Sequence, residues 1–317
     1  MRKQSIFLKK YGELIPIYVV MILMIGINVW KQPNFFSVTT LSRTFNQLAP
    51  YIFISMAQMC IMLIGGMNFA LGGLVSLSTC IFAKTMVESD LRNIPRIIAV
   101  ILLIGVMEAL VGYIIGHFRL PTIVVTLATS FIYEGLALGI LPTPGGYVSP
   151  NIATFLTGRI GPISVAFLMC LVFVVIWCLI RRSSVGLLIY AVGQNRNAAF
   201  SSGLNVTWGY VMAFFINGVL AALAGLMLCA RTMSGDPRIA NDMTINAVTA
   251  AVLGGVTFSG GEGKIAGTIA GAVVVGMLVN VLFYLNITGF YTYFVQGIIL
   301  IISVVVNNWR RGARRNA

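Results

Sequence analysis

The chain has 317 residues, of which 58% are hydrophobic and only 9% are charged, and its formal net charge is +13. An ordinary soluble domain is roughly 25% charged, so this composition excludes a cytosolic enzyme, and it equally excludes a disordered or collagen-like chain. The basic excess alone could indicate a nucleic-acid partner, but the Lys and Arg residues form short clusters between long apolar runs. That arrangement is typical of a polytopic membrane protein.

About ten apolar segments approach the ~20 residues needed to cross a bilayer. The first follows a basic stretch, 2–10, and has no small-residue cleavage site after it, so it is predicted to be a membrane helix rather than a signal peptide. The eighth is short and interrupted by glycine, and it is interpreted either as a span or as a re-entrant segment. In chain order the predicted segments are 15–30, 47–65, 68–86, 96–118, 121–141, 161–180, 208–229, 242–257, 265–285 and 290–307.

The distribution of basic residues predicts the orientation of these segments. With ten crossings and a cytoplasmic N-terminus, most Lys and Arg residues fall on the cytoplasmic side, as the positive-inside rule requires. Nine crossings would place the basic cluster 310–315 outside. We therefore expect an even number of crossings, with both termini cytoplasmic.

A weak internal repeat relates the glycine-rich stretch 63–73 to the stretch 252–261. If it is genuine, the halves 15–118 and 208–307 have the same orientation, and the repeat is parallel. The alternative is a chance match between two glycine-rich hairpins, and the sequence leaves both open. In either case the chain 1–317 is predicted to be a single transmembrane domain.

Residues for catalysis, metal binding or ATP binding are missing from the sequence. The single histidine, His117, is interpreted as an interfacial side chain, and none of the five cysteines forms a C-x-x-C pair. The segment 259–264 contains a Gly-Lys pair but not a phosphate loop, because Ile265 follows Lys264 and Phe258 replaces the first glycine. We therefore expect no catalytic site, no metal and no cofactor bound by this chain.

Two acidic residues, Glu108 and Glu134, lie inside apolar segments. A carboxyl group within the membrane is costly and usually faces a partner or a water-filled cavity. Each is interpreted either as part of a transport path or proton relay, or as a structural hydrogen-bonding group. The structural interpretation is favoured for Glu108, and the two are evenly balanced for Glu134.

The polar loop 181–207 contains a predicted short helix, Asn195–Ser202, that ends at Gly203. Such a helix at the membrane face suits docking of a soluble partner, although a plain connector explains it as well. The residues predicted to form this contact are Gly193, Asn195, Arg196, Asn197, Ala198, Ala199, Ser202 and Gly203.

Several motifs together resemble the ribose-type permeases of bacterial ABC sugar importers. They are Gln-Pro-Asn-Phe-Phe at 32–36, Leu-Pro-Thr-Ile-Val-Val-Thr-Leu at 120–127, Ala-Val-Gly-Gln-Asn at 191–195, Ser-Gly-Leu-Asn-Val at 202–206, and the run from Ala-Ala-Val-Leu-Gly-Gly at 250–255 through Ser-Gly-Gly at 259–261 to Gly-Thr at 267–268. The resemblance covers nearly the whole chain. It implies that the loop 181–207 couples the permease to an ATPase.

The chain also departs from the pattern of the family it resembles. Asn68 and Asn246 stand where the family usually has aspartate, Arg196 replaces a glutamate of the coupling loop, and Glu134 replaces an arginine. The stretch Asn-Phe-Ala at 68–70 is similar instead to branched-chain amino-acid permeases. These departures suggest pairing with a second, different permease subunit, with a homodimer as the alternative.

The resemblance implies an all-α polytopic permease of the vitamin-B12-importer-like type (type II) in the bacterial inner membrane. Its expected partners are a second permease, an ABC ATPase that binds ATP and Mg²⁺, and a periplasmic substrate-binding protein, with no nucleic acid. The expected solute is a small polar one, with a monosaccharide favoured over autoinducer-2 or a branched-chain amino acid. An ion-coupled secondary transporter is the competing class. Candidate path or gate residues, which could equally be interhelical hydrogen-bonding groups, are Asn68, Phe69, Thr126, Glu134, Asn246 and Asn280.

Overall fold

The structure, a computed structural model, describes residues 15–32 and 34–284 and, beyond them, positions 291, 294–298, 301 and 305. It is mainly helical, which confirms the predicted class in its coarse form. A two-stranded antiparallel hairpin, which was not predicted, lies between two of the helices. The elements are α1 (Ile15–Lys31), α2 (Val38–Leu63), α3 (Leu71–Thr85), α4 (Asp90–Phe118), α5 (Thr122–Ile140), α6 (Pro150–Thr157), β1 (Arg159–Ile160), β2 (Ile163–Ser164), α7 (Val165–Arg182), α8 (Ser184–Gln194), α9 (Arg196–Ser201), α10 (Val206–Thr232), α11 (Met243–Leu253) and α12 (Ile265–Tyr284).

Five of these helices are long and apolar enough to cross a membrane: α4, α5, α7, α10 and α12. Two of the predicted segments form shorter helices: 68–86 gives α3, with 15 residues, and 242–257 gives α11, with only 11. At 1.5 Å per residue α11 extends over about 16 Å, roughly half the bilayer core. It therefore does not span by itself. The tenth predicted segment, 290–307, lies mostly outside the described residues.

Helix α2 begins at Val38, well before the predicted boundary of 47. The Ser37 side chain caps it by accepting a hydrogen bond from the Thr40 amide at 3.3 Å. The first turns are polar and therefore gave no hydrophobic signal. From Leu48 to Leu63 the helix is almost entirely buried by other helices. It is thus a central helix that does not need an apolar surface toward lipid.

The first turns of α3 and α11 meet inside the bundle, where the Gly72 amide donates to Thr244 Oγ1 at 2.8 Å. The stretch 233–242, which leads from α10 to α11, runs along α3 and obtains hydrogen bonds from it. Ser76 Oγ accepts from the Ala240 amide at 3.1 Å, and Thr79 Oγ1 both donates to and accepts from the Asp236 backbone. Side chains of α3 therefore replace the backbone partners that a continuous helix would supply.

The chain makes the same turn after α2 and after α11. Gly65 and Gly255 both have a left-handed φ, +83° and +84°, and in both turns the glycine amide and the next amide bond back to the end of the helix. The two turns correspond at residues 65 and 255, whereas aligning the starts of the two sequence stretches, 63 and 252, would pair Gly65 with Gly254. This geometry is compatible with the internal repeat, which stays a prediction.

Helix α10 crosses α3 so closely that Gly225 leaves no room for a side chain. A Cβ there would overlap Ser78 Oγ and lie 3.0 Å from the Val75 carbonyl oxygen. Small residues allow this approach where lipid does not force helices together.

We expect Gly225→Ala to lower the melting temperature in detergent by several degrees, since overpacking costs about 1–3 kcal/mol. Adding Ser78→Ala should recover part of the loss, because it removes the overlapping oxygen. Gly139→Ala is the matched control, since its Cβ would meet nothing within 4 Å. Equal melting temperatures for the Gly225→Ala and Gly139→Ala variants would contradict the close crossing.

Candidate functional site

The predicted short helix is present as α9, at the end of the bundle where α2 terminates. Asn195 caps it, with Oδ1 accepting from the Ala198 amide at 3.0 Å, and Gly203 follows it with a left-handed φ of +78°. Asparagine favours N-cap positions and glycine the left-handed position after a helix. The sequence prediction of this helix and its end is therefore confirmed. Its exposed predicted residues are Asn195, Asn197, Ala198, Ser202 and Gly203.

Gly193, just before α9, packs the end of α8 against the bundle through its main chain. It lies in the last turn of α8, and a Cβ at this position would overlap the Leu63 carbonyl oxygen at the end of α2. The same Leu63 oxygen accepts a hydrogen bond from the Gly261 amide at 2.8 Å. Three segments thus meet at one carbonyl group: α8, the end of α2 and the loop between α11 and α12. We call this meeting point the backbone junction.

Tyr190 adds a side-chain bond next to the backbone junction. Its hydroxyl donates to the Gly263 carbonyl oxygen at 3.1 Å, and the Arg181 guanidinium lies 5.6 Å from its ring centroid. Burial raises the pKa of the Tyr190 hydroxyl above its ordinary value, against the opposing effect of the Arg181 charge. The hydroxyl therefore stays protonated and remains a donor to the loop between α11 and α12.

Arg196 points toward the bundle instead of outward from α9. Its Nη2 donates to the Gly116 carbonyl oxygen at 3.2 Å, and its guanidinium lies 5.3 Å from the ring centroid of Tyr210. Gly116 is in the last turn of α4, where carbonyl groups lack helical partners and a positive charge is favourable. Arg196 therefore fastens α9 to α4, and Ala199, which is buried, packs inward as well.

Two exposed aromatic side chains, one on α9 and one in the following helix, were not among the predicted site residues. Phe200 is 65% exposed and Trp208, in the first turn of α10, is 48% exposed. Aromatic side chains are enriched at the centres of protein interfaces. The large apolar side chain of Phe200 within a polar loop was a signal that could have identified it, whereas Trp208 was counted in the apolar segment 208–229.

Asn68, a predicted path residue, lies in a buried polar network. Its Nδ2 donates to Glu108 Oε2 at 2.8 Å and to Asn217 Oδ1 at 2.9 Å, and the Tyr133 hydroxyl donates to Glu108 Oε1 at 2.9 Å. Asn217 in turn donates to the Ala57 carbonyl oxygen. The network joins α2, α4, α5, α10 and the connection before α3. This geometry matches the structural interpretation of Glu108, and it leaves Asn68 fully buried rather than exposed to a path.

The other predicted path residues are dispersed. Thr126 is buried and bonds to the Met67 carbonyl oxygen at 3.2 Å, whereas Phe69 is half-buried. Glu134 is half-buried and packs its Cγ toward Gly73, where a Cβ would lie 3.3 Å away. Asn246 is buried, and its Oδ1 has no hydrogen-bond partner among the described residues. The structure therefore does not bring these residues together into one polar channel within a single chain.

Asn280 belongs to a different region, at the opposite end of α2. Its side-chain amide exchanges two hydrogen bonds with that of Gln47, at 2.9 and 3.2 Å. Gln47 also lines a cavity of about 450 Å³ between the start of α2, α6 and the end of α10. From Gln47 to Leu63 at the backbone junction, α2 extends over about 24 Å. The full lining consists of Arg43, Asn46, Gln47, Ala153, Thr154, Thr157, Ala230, Arg231 and Met233.

The described residues contain no group of three or more His, Cys, Asp or Glu side chains placed to hold a metal ion. What they present is an exposed helix seated on three chain segments at one end, a polar cavity at the other, and a buried network between α2, α4, α5 and α10. This arrangement suits a protein that transmits movement through a membrane bundle.

Comparison with known proteins gives matches over most of the chain. A family model described as "Branched-chain amino acid transport system / permease component" matches residues 40–304. The ribose import permease RbsC of Haemophilus influenzae is 30% identical over 300 residues, which cover 92% of each chain. RbsC of Bacillus subtilis is 30% identical, covering 95% of this chain and 93% of its own, and the D-allose permease AlsC of Escherichia coli is 28% identical, covering 96% and 93%. No solved structure matches the chain.

The extent of these matches identifies the family. The family model spans most of the chain, and the exposed α9 lies within it, in the loop whose motifs carry the resemblance. A multi-pass helical membrane protein with such a surface is what a permease subunit requires. The chain therefore belongs to the ribose-type permease family of ABC importers.

Proposed function

We propose that this chain translocates a monosaccharide as one half of a permease dimer driven by a separate ATPase. The observation that carries the coupling is the seating of α9 through Gly193 on the backbone junction. A sugar as solute is supported by the relatives, whose names state that they import ribose or allose. ATP and Mg²⁺ would bind to the ATPase subunit and not to this chain.

The α9 end of the bundle is the cytoplasmic end in this proposal. Arg181, Arg182 and Arg196 cluster there, in accordance with the positive-inside rule. The cavity beside Gln47 then opens toward the periplasm, where a substrate-binding protein would deliver the solute. We propose the type II arrangement of ten crossings with both termini inside, and a second permease, identical or different, that completes the central path.

Movement of α9 would reach the membrane helices by two routes. Through Gly193 and Leu63 it displaces the end of α2, and through Gly261 it displaces the loop between α11 and α12. Because the first turn of α11 contacts the first turn of α3, a shift of α11 also acts on α3. Such rigid-body shifts of packed helices are a common way to open a path alternately to two sides.

An ion-coupled secondary transporter through Glu134 is the competing function, and a crossed pair of substitutions separates it from the proposal. Arg196→Glu places a negative charge on the carbonyl end of α4, so it should displace α9 and lower ATP-driven uptake about tenfold or more. Glu134→Gln should leave that uptake largely intact. The measurement is binding-protein-stimulated ATP hydrolysis and solute uptake by the permease, reconstituted with the ATPase and binding protein of its own system.

Arg182→Glu is the matched control, since it makes the same charge change at an exposed position of the same end. Size-exclusion chromatography in detergent would establish that each variant is inserted and folded. Loss of uptake in Glu134→Gln together with full activity of Arg196→Glu would favour ion coupling and reject the proposal.

A further inference from the structure

The cavity beside Gln47 has an uneven distribution of charge. Among its lining residues are two arginines, Arg43 and Arg231, and no acidic residue. Arg43 lies on the second turn of α2 and Arg231 in the last turn of α10, and both are exposed. Two guanidinium groups at one cavity of about 450 Å³ form a strongly positive site. In the proposed orientation it faces the periplasm.

The neutral polar groups of the cavity are already committed to its walls. Asn46 donates to the Thr157 carbonyl oxygen and accepts from Ser164, while Gln47 is paired with Asn280. Among the described residues, no hydrogen bond or ion pair involves the Arg43 or Arg231 guanidinium groups. The cavity walls therefore include fixed amides, and its two arginines keep donors available to a ligand.

Asp242 is an acidic residue near the end of α10 in sequence, and it does not line the cavity. Asp242 and Arg231 both lie within electrostatic range of the Tyr51 hydroxyl. A single carboxylate does not balance two guanidinium groups. The field in the cavity stays positive, which concentrates anions and gives neutral sugars no comparable advantage.

We propose that this cavity is the outer binding site of the transport path, and that its ligand is an acidic sugar: a polyhydroxylated solute bearing a carboxylate or a phosphate. Guanidinium groups bind both anions through paired, charge-assisted hydrogen bonds. The Thr154 hydroxyl offers a partner for a sugar hydroxyl, and the volume falls within the range of small-molecule sites. This inference rests on the proposed function and specifies the class of monosaccharide.

The anionic group that binds the two arginines could also be a carboxylate of the substrate-binding protein. The test is therefore made without that protein. D-gluconate and D-sorbitol are suitable probes, because they share a carbon chain and differ in a carboxylate against a hydroxymethyl group. Saturation-transfer difference NMR on the detergent-solubilised full chain measures weak affinities for both. We expect gluconate to bind about tenfold tighter than sorbitol or more, and increasing salt to reduce the difference.

Arg43→Gln and Arg231→Gln should each weaken gluconate binding about tenfold and leave sorbitol binding unchanged. Arg159→Gln is the matched control, because Arg159 is an exposed arginine of β1 outside the cavity lining. Equal affinity for the two probes would overturn the proposal, and so would an equal loss of gluconate binding in the Arg159 variant. A loss of binding-protein affinity in the arginine variants, with gluconate binding intact, would assign the anion to the binding protein and also overturn it.

This outcome is separable from the proposed function. If ATP-driven uptake of a neutral sugar persists in Arg43→Gln and Arg231→Gln, the importer assignment holds and the acidic-sugar inference fails. If no uptake depends on ATP hydrolysis even in the unsubstituted complex, the proposed function fails whatever gluconate binding shows.

Discussion

Gly193→Ala should abolish coupled transport while leaving the membrane bundle assembled. The added Cβ would overlap the Leu63 carbonyl oxygen, so α8 must move away from α2 and the Gly261 bond to the same oxygen is disturbed. Both contacts are between main-chain atoms, which have no rotamer to relieve the overlap. We expect binding-protein-stimulated ATP hydrolysis and uptake to fall about tenfold or more.

The control for this substitution is Gly135→Ala on α5, where a Cβ would meet nothing within 4 Å. Both variants make the same chemical change, so a difference between them reports the backbone junction. Comparison of their elution profiles in detergent shows whether the Gly193 variant remains inserted and folded. Full transport by a well-folded Gly193→Ala variant would reject the junction as the route of coupling.

Glu108→Ala is expected to lower the melting temperature of the solubilised chain by about 5–10 °C, because each buried group left without a partner costs about 1–3 kcal/mol. The Asn68 amide would lose one of its two acceptors, and the Tyr133 hydroxyl would lose its acceptor. Glu108→Gln should have a smaller effect, since its single carbonyl oxygen replaces only part of the acceptor capacity. Fluorescence-detected thermal unfolding in detergent measures the series.

Tyr133→Phe should lower the melting temperature by less than Glu108→Ala, because it removes one of these bonds. Tyr113→Phe is its matched control, since Tyr113 is exposed on α4. A proton relay would behave differently: Glu108→Gln would then stop uptake with an unchanged melting temperature. That result would contradict the structural role assigned to the network.

Much of the helical arrangement could be predicted from the sequence, because apolar runs are bounded by polar or glycine-rich stretches. The predicted segments 15–30, 121–141 and 265–285 end within a few residues of α1, α5 and α12. Helix α9 was predictable from its Asn195 cap and the following Gly203. The early start of α2 was not, because its first turns are polar and hydropathy does not register a polar helix. Helix α6 was not predicted because it has only eight residues, far fewer than a membrane-spanning segment.

The candidate site was harder to predict because the same sequence pattern is compatible with two different roles. An amide in an apolar helix indicates either a path or an interhelical bond, and only its partners decide between them. Asn68 meets Glu108 and Asn217, residues 40 and 149 positions away in sequence. Arg43 and Arg231 gave no functional prediction from the sequence. Their convergence on one cavity depends on the packing of α2 against α10, which no local pattern contains.

The support that α3 gives to the stretch 233–242 has a consequence for how the chain is made. This stretch has backbone groups at the depth of α3 that lipid cannot satisfy, and Ser76 and Thr79 supply their partners. Thr79 precedes its partner Asp236 by 157 residues. Synthesis from the N-terminus therefore delivers α3 first, so that it is already available as a template when the stretch leaves the ribosome. Because α3 precedes the stretch 233–242 and α11 in the chain, it can be inserted before the segments that depend on it.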